Sequence, residues 1–376
     1  MREQIKAFVE KNHELMMQTL RELCLIPAPS HKEELRAEYC KKWLETHGAT
    51  GVIIDEAKNV IFPLCCEGSE AITVLAAHTD TVFPDMEPLP YREDEENIYC
   101  PGCADDTASV VVLMLIAKFF IETGIKPNGG LLFVCNSCEE GLGNLKGTKA
   151  LFAAYGGRVA RFLSFDSELN VAHDACVGSH RYEVTAETRG GHSFNDFGSE
   201  NAIAVLSRIV SDIYAISVPQ KGAAKTTYNV GEISGGTSVN TIAQSAKMLC
   251  EYRSDDHECM AEMKEKFEKI FASARREGVT LTVTMVGDRP CANVEQSKID
   301  AFKSVITPVI EETIGETLNY CSASTDCNVP LSLGVPALCM GVCRYKGMHT
   351  REEWMDKASL RLGMEAALRV AVELTR

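Results

Sequence analysis

Three short apolar stretches of this chain run into groups that can bind a metal or move a proton. Ile72 to Ala77 leads directly into His78-Thr79-Asp80, Leu131 to Val134 precedes Glu139-Glu140-Gly141, and Arg161 to Phe165 ends at Asp166. Runs of this length and composition read as β-strands, and the apolar stretch from about Thr107 to Glu122 between them reads as a helix. Strands alternating with helices build an α/β sheet, whose strand ends open onto one crevice. A chain that places imidazole and carboxylate groups at several such ends is constrained to bring them together.

The rest of the chain fits around that sheet. Residues 3 to 23 and 32 to 47 carry apolar residues at helical spacing, separated by Ile26-Pro27-Ala28-Pro29-Ser30, where two prolines exclude helix. Further strands are expected at Gly51 to Asp55 and Val60 to Pro63, and a helix at Lys149 to Tyr155. From His180 the rhythm changes to strand (Tyr182 to Glu187), helix (Asn201 to Ser217), strands (Thr227 to Ile233, Ala246 to Arg253), helix (Glu258 to Glu277) and strand (Thr280 to Met285). That β-α-β-β-α-β order is ferredoxin-like. After Asn293 the α/β style returns, with a helix near Ile299 to Thr313, a strand at Ala337 to Gly341 and a terminal helix from about Trp354 to Glu373. The expected architecture is a discontinuous mixed-sheet α/β catalytic domain, residues 1–175 and 289–376, carrying an inserted α+β lobe, residues 176–288.

Composition narrows the function. Thirty-eight basic against fifty-three acidic residues give a formal charge of −15, which disfavours nucleic acid and anionic lipid as partners. The longest apolar run, Val110 to Ile116, is too short to span a bilayer, and Met1 to Lys11 has no apolar signal-peptide core. A cytoplasmic protein is expected. Sixteen cysteines diluted over 376 residues read as reduced core residues. The Cys100/Cys103 and Cys135/Cys138 pairs lie further apart than the roughly 15 to 20 residues of a zinc ribbon.

Each chemical motif has a plain alternative. His78 and Asp80 can be a metal ligand with a carboxylate behind it, or a polar cap on a strand end. Asp105-Asp106 can cap the following helix, and Glu139-Glu140 can be solvated loop charge. Charge so close behind the apolar Leu131 to Val134 favours a functional reading, in which one glutamate binds a metal and its neighbour takes a proton from water. The remaining histidines, at 13, 31, 47, 173, 180 and 257, have no partner motif.

Taken in order, these motifs resemble the dizinc exopeptidase and deacylase family that includes peptidase T, bacterial glutamate carboxypeptidase, aminoacylase and succinyl-diaminopimelate desuccinylase, with peptidase T the nearest in style. The resemblance spans the chain: His78 to Asp80, Gly102 to Asp106, Glu139 to Gly147, Asp166, Gly190-Gly191-His192-Ser193, Gly235 to Asn240, Arg253, Ser324-Thr325-Asp326, and His349 to Glu353. It implies two Zn2+ per chain, with Co2+ or Mn2+ as substitutes. Asp105 would bridge them, with His78 and Asp166 on one and Glu140 and His349 on the other, and Glu168 standing as an alternative to Asp166. It implies a cis peptide between Asp105 and Asp106, Asp80 behind His78, and Glu139 as general base towards a water between the metals. Arg253, Asn240 and Ser324 would contact substrate. His192, in the inserted lid lobe, would reach the partner's site across a homodimer and stabilise the oxyanion. Thr107, where many relatives carry lysine, and Ser193-Phe194, in place of Ala-Gly, depart from the family pattern and bear on substrate fit.

The implied activity is metal-dependent hydrolysis of an amide bond in a small peptide. An N-acyl amino acid deacylase uses the same machinery, and the residues do not separate the two. A non-catalytic binding homologue and a cysteine-based redox protein are the readings from other classes. The complete ligand set disfavours the former, and the latter predicts activity insensitive to chelation.

Overall fold

The computed structural model describes residues 1–376, which divide into two compact units, Met1–Cys176 with Asn293–Arg376, and Val177–Ala292. The first is built on an eight-stranded mixed sheet in the order Ile53–Ile54, Val60–Leu64, Gly130–Asn136, Ile72–His78, Val159–Ser164, Ala337–Met340, Val171–Cys176, Asn319–Ala323. The four strands from Gly130–Asn136 to Ala337–Met340 run parallel. Every residue of Ile72–His78 and Gly130–Asn136 is buried, as a parallel sheet covered on both faces requires. Register places His78 opposite Asn136 and Ala76 opposite Ser164, so these strands end together at one edge.

Helix Ala108–Thr123 packs on this sheet and against helices His13–Cys24 and Lys357–Glu373. Its residues Ala108 to Phe120 are all buried, which explains why its sequence is apolar all round instead of striped. Each large aliphatic side chain enclosed there contributes roughly 1.5–3 kcal/mol of transfer free energy. No helix of the protein is long and apolar enough to cross a membrane.

Several elements differ from expectation. The first helical stretch is two helices, Arg2–Lys11 and His13–Cys24, broken at Asn12, whose side-chain amide donates to the Phe8 carbonyl and competes with the helical bonds. Strands Val171–Cys176 and Asn319–Ala323, which pair in parallel at the sheet edge, are too polar to announce themselves. Trp354–Asp356 is a strand and not the first turn of the terminal helix, which begins at Lys357 with Asp356 as its N-cap. That strand belongs to a small sheet in the order Tyr345–Lys346, Trp354–Asp356, Asn97–Tyr99, Arg92–Glu93. The hairpin so formed carries residues 347–353 at its tip, beside the segment leaving Tyr99.

The second unit is an antiparallel four-stranded sheet in the order Thr226–Gly235, Ser245–Ser254, Gly178–Thr188, Val279–Arg289, the ferredoxin-like arrangement. Helices Ala202–Tyr214 and His257–Ser273 pack on it around Phe267, Tyr252, Met248, Val184 and Leu206. Both helices start on side-chain caps, Asn201 and Asp256, each accepting two backbone N–H groups. Ser179 and Arg289 are register partners, so the chain enters and leaves this unit side by side, as an insertion must.

Candidate metal centre and active site

The parallel strands deliver the site. His78 is the last residue of its strand, Glu139-Glu140 follow Gly130–Asn136 after two residues, and Asp166 follows Val159–Ser164 after one. Asp105 arrives on the segment leading into helix Ala108–Thr123, and the peptide between Asp105 and Asp106 is cis. His349 stands in the turn of the Tyr345–Asp356 hairpin with φ +63°.

Asp105 lies between the two histidines. Its Oδ1 is 3.1 Å from His78 Nε2 and its Oδ2 is 3.0 Å from His349 Nε2. Glu140 Oε1 is buried and lies 3.3 Å from the same His349 nitrogen. Two groups of ligand atoms each fall within 4.8 Å of one another: His78, Asp105 and Glu140, and His78, Glu139 and Asp166. Glu168 is in neither group. The His78 ring is oriented through Nδ1, 3.0 Å from the Asp80 carbonyl oxygen, which leaves Nε2 to face the site.

The Asp80 carboxylate stands behind the His78 ring, as its spacing suggests, and has a second job. It is 3.5 Å from His78 Nδ1, and its closer partners are the backbone N–H groups of Glu139 and Glu140, at 2.9 and 3.0 Å, and the Ser30 hydroxyl at 2.7 Å. One carboxylate therefore fixes the backbone of both glutamates. Glu353 does the same for Asp105: its Oε2 accepts from Gly102 N–H at 2.7 Å, and its Oε1 from Ala104 and Asp105 N–H at 2.9 and 3.2 Å. Gly102 has φ +76°, and a Cβ there would stand 2.7 Å from Thr81 Cγ2. That accounts for glycine at the start of this motif. Gly147, the last of the Glu139 to Gly147 motif, would put a Cβ 2.4 Å from Asn59 Oδ1 and Ser137 O. Behind the site, Asp326 accepts from Asn136 and Thr148 side chains, while His78 N–H donates to Asp106 Oδ2 at 2.9 Å. The Arg36 guanidinium holds the Ile26 and Thr79 carbonyls at 2.8 and 3.0 Å.

Charge is the dominant feature. Asp80, Asp105, Asp106, Glu139, Glu140, Asp326 and Glu353 are buried and Asp166 is partly so. Burial pushes Glu140 up to about 7, against the opposing hydrogen bond from His349, and likewise raises Glu353 and Asp326 to about 7. Burial, with Asp105, Glu139 and Glu140 as neighbours, holds Asp166 well above the carboxylate range despite His78. Against the push of burial, hydrogen bonds from His349 and His78 hold Asp105 well below that range. His349 is pushed up to about 10 by its bonds to Asp105 and Glu140. Hard oxygen and imidazole donors with excess negative charge, and a carboxylate whose two oxygens face separate histidines, fit divalent cations.

The other anticipated residues lie elsewhere. Ser324 is partly buried immediately before Thr325 and Asp326. In the second unit, His192 is exposed, and its Nδ1 accepts from Phe194 and Asn195 N–H at 3.3 and 3.4 Å, which puts the ring proton on Nε2. Asn240 accepts from Ser238 Oγ at 2.8 Å and gives its carbonyl to Ser193 N–H. Arg253 is forked onto Glu251 at 2.7 and 3.1 Å. Phe194 and Phe197, which follow His192 in the chain, are 84% and 90% exposed.

Known proteins resemble this chain in sequence and in fold. Residues 74–373 match the peptidase family M20/M25/M40. The chain is 24% identical over 335 residues to a succinyl-diaminopimelate desuccinylase of Corynebacterium glutamicum, covering 87% of this chain and 88% of that one. Its fold is that of a tripeptidase from Staphylococcus aureus (TM-score 0.76, 21% identity, 97% and 99% of the two chains) and of aminopeptidase PepT from Bacillus cereus (0.74, 20%, 97% and 99%). The protein is an enzyme that hydrolyses amide bonds, a metal-dependent peptidase or amidohydrolase. It belongs to the M20/M25/M40 peptidase family.

Two outcomes are expected. Asp105 and Glu140 push His349 up to about 10, so if His349 is a ligand a metal must displace a proton from it at pH 7. Apparent metal affinity should therefore rise with pH by at least about tenfold per unit, more steeply below about pH 7 where Glu140 is also protonated. Calorimetry in buffers of different ionisation enthalpy will read the proton release, and a pH-independent affinity would contradict the ligand set. Glu353→Gln places an amide NH2 against N–H donors, and should weaken metal binding by about 10- to 100-fold while far-UV circular dichroism is unchanged.

Proposed function

We propose that this chain is an exopeptidase-type metallopeptidase that cleaves small peptides with two zinc ions. The observation that carries the reading is Asp105, whose two carboxylate oxygens face His78 and His349 separately. His78, Asp105 and Asp166 would hold one ion, and Asp105, Glu140 and His349 the other. Bound there, divalent ions supply Lewis acidity to the scissile carbonyl and lower the pKa of water towards 7. Glu139 takes up a proton at its carboxylate and returns it to the leaving amine nitrogen, its backbone held by Asp80. Its neighbour Glu140 stays a ligand because the same carboxylate fixes both.

A second reading, an N-acyl amino acid deacylase, is favoured by the likeness to a desuccinylase across 88% of that enzyme. The two readings share every residue named above and differ in the acyl side of the substrate. The Arg253 fork would have to leave Glu251 to take a substrate carboxylate. Ser324 and Asn240 would supply further polar contacts to substrate.

The purified enzyme should hold close to two divalent ions per chain, and Glu139→Gln should keep both while turnover falls by on the order of 100-fold or more. A panel of dipeptides, tripeptides and N-acyl amino acids assigns the substrate, and full activity with one ion per chain would overturn the two-metal reading.

His192 is assigned to oxyanion stabilisation in a homodimer through the inserted unit. Its Nε2–H is a donor, and strand Thr226–Gly235 is an open edge with Ile233 exposed. Mixing nearly inactive Glu139→Ala and His192→Ala proteins under subunit exchange should restore roughly a quarter of wild-type activity, because half the dimers then contain one complete site. No recovery despite demonstrated exchange removes the shared-site assignment and leaves the metal assignment standing.

A further inference from the structure

The first unit has a cleft of about 560 Å3 at the other end of the strands that carry the metal ligands. Val159 and Arg161, at the start of strand Val159–Ser164, form one wall; Lys298, Phe302 and Val305, on one face of helix Gln296–Ile314, form another; Pro336 closes it beside strand Ala337–Met340. Arg161 stands five residues before Asp166 on this extended segment, about 16 Å at roughly 3.3 Å per residue. A ligand here is therefore not in the reaction centre.

The lining is apolar except for two cations, and neither has an acid. Arg161 is partly buried and donates through Nε to Thr73 Oγ1 at 3.1 Å. Burial alone moves its pKa, downwards, with no carboxylate opposing it. Lys298 reaches only the Gly334 carbonyl, at 3.5 Å. Asp300, on the same helix, instead accepts from Gln296. Elsewhere in this chain of net charge −15, Arg2, Arg21, Arg344, Arg351, Arg361 and Arg369 pair with carboxylates, whereas Arg161, like the buried Arg36, is held by neutral oxygen acceptors. A guanidinium held off acids inside an apolar cleft is a fork for a carboxylate from outside the chain, and the volume is that of a small-molecule site.

We propose that this cleft binds an organic monocarboxylate with an apolar body, the carboxylate on Arg161 and Lys298 and the body against Phe302, Val305 and Pro336. The proposal is independent of the substrate assigned to the metal centre.

The probe is octanoate, titrated into the metal-loaded enzyme by calorimetry. Wild type should bind it saturably, with Kd below about 1 mM. Arg161→Gln/Lys298→Gln should weaken binding by about tenfold or more, with turnover on a peptide substrate unchanged. Lys298→Gln alone, at an exposed helix position, should weaken it several-fold, which keeps the test open if the double variant does not fold. His349→Ala should bind octanoate as wild type does, separating this cleft from the metals. The proposal is overturned if wild type shows no saturable binding, if the Arg161 and Lys298 variants bind equally well, if His349→Ala abolishes binding, or if octan-1-ol or inorganic phosphate binds as tightly as octanoate.

Discussion

Negative charge confined in a poorly solvated space is the constraint around which the first unit is organised. Seven buried carboxylates and Asp166 share a region where His78 and His349 are the cations in contact with the ligand carboxylates. Charges taken from water cost several kcal/mol each unless they are paired and hydrogen-bonded. Asp80 meets that cost with two backbone N–H groups and a hydroxyl, Glu353 with three N–H groups, and Asp326 with two side chains. Asp105, Glu140 and Asp166 are left facing the centre, offset by His78, His349 and bound protons, an arrangement that divalent cations would replace. Folding and metal binding are thus two parts of one electrostatic problem.

The division of labour follows from who is hydrogen-bonded to what. Asp80 and Glu353, saturated largely by backbone donors, act as scaffolding, whereas Asp105 and Glu140 turn their oxygens to the histidines and are the candidate ligands. This difference separates Asp80 from Asp105 and Glu353 from Glu140, although all four are acidic residues in or beside the recognised motifs.

Much of this was legible in the chain. Apolar runs ending in His78, Glu139-Glu140 and Asp166 announced both the parallel strands and their convergence, because strand order and ligand placement follow from the same alternation. The change of rhythm after His180 announced the ferredoxin-like order. What was not legible depends on contacts between distant residues. Glu353 lies about 250 positions from the N–H groups it holds, so nothing local marks it as more than the end of a motif. The strand Trp354–Asp356 exists because Tyr99 and Ile98 pair with it, overriding a helical pattern. Ser30 follows two prolines that read simply as a helix break, yet its hydroxyl reaches Asp80.

The position of the hairpin in the chain bears on biosynthesis. His349 and Glu353 follow His78 and Asp105 by more than 240 positions. Until that late segment has left the ribosome, the emerged chain has one of its two facing imidazoles and lacks the carboxylate that props Asp105. A metal held by the full set proposed above would have to wait for the hairpin to emerge. A prematurely terminated product would retain most of the core strands but be unable to assemble the complete centre.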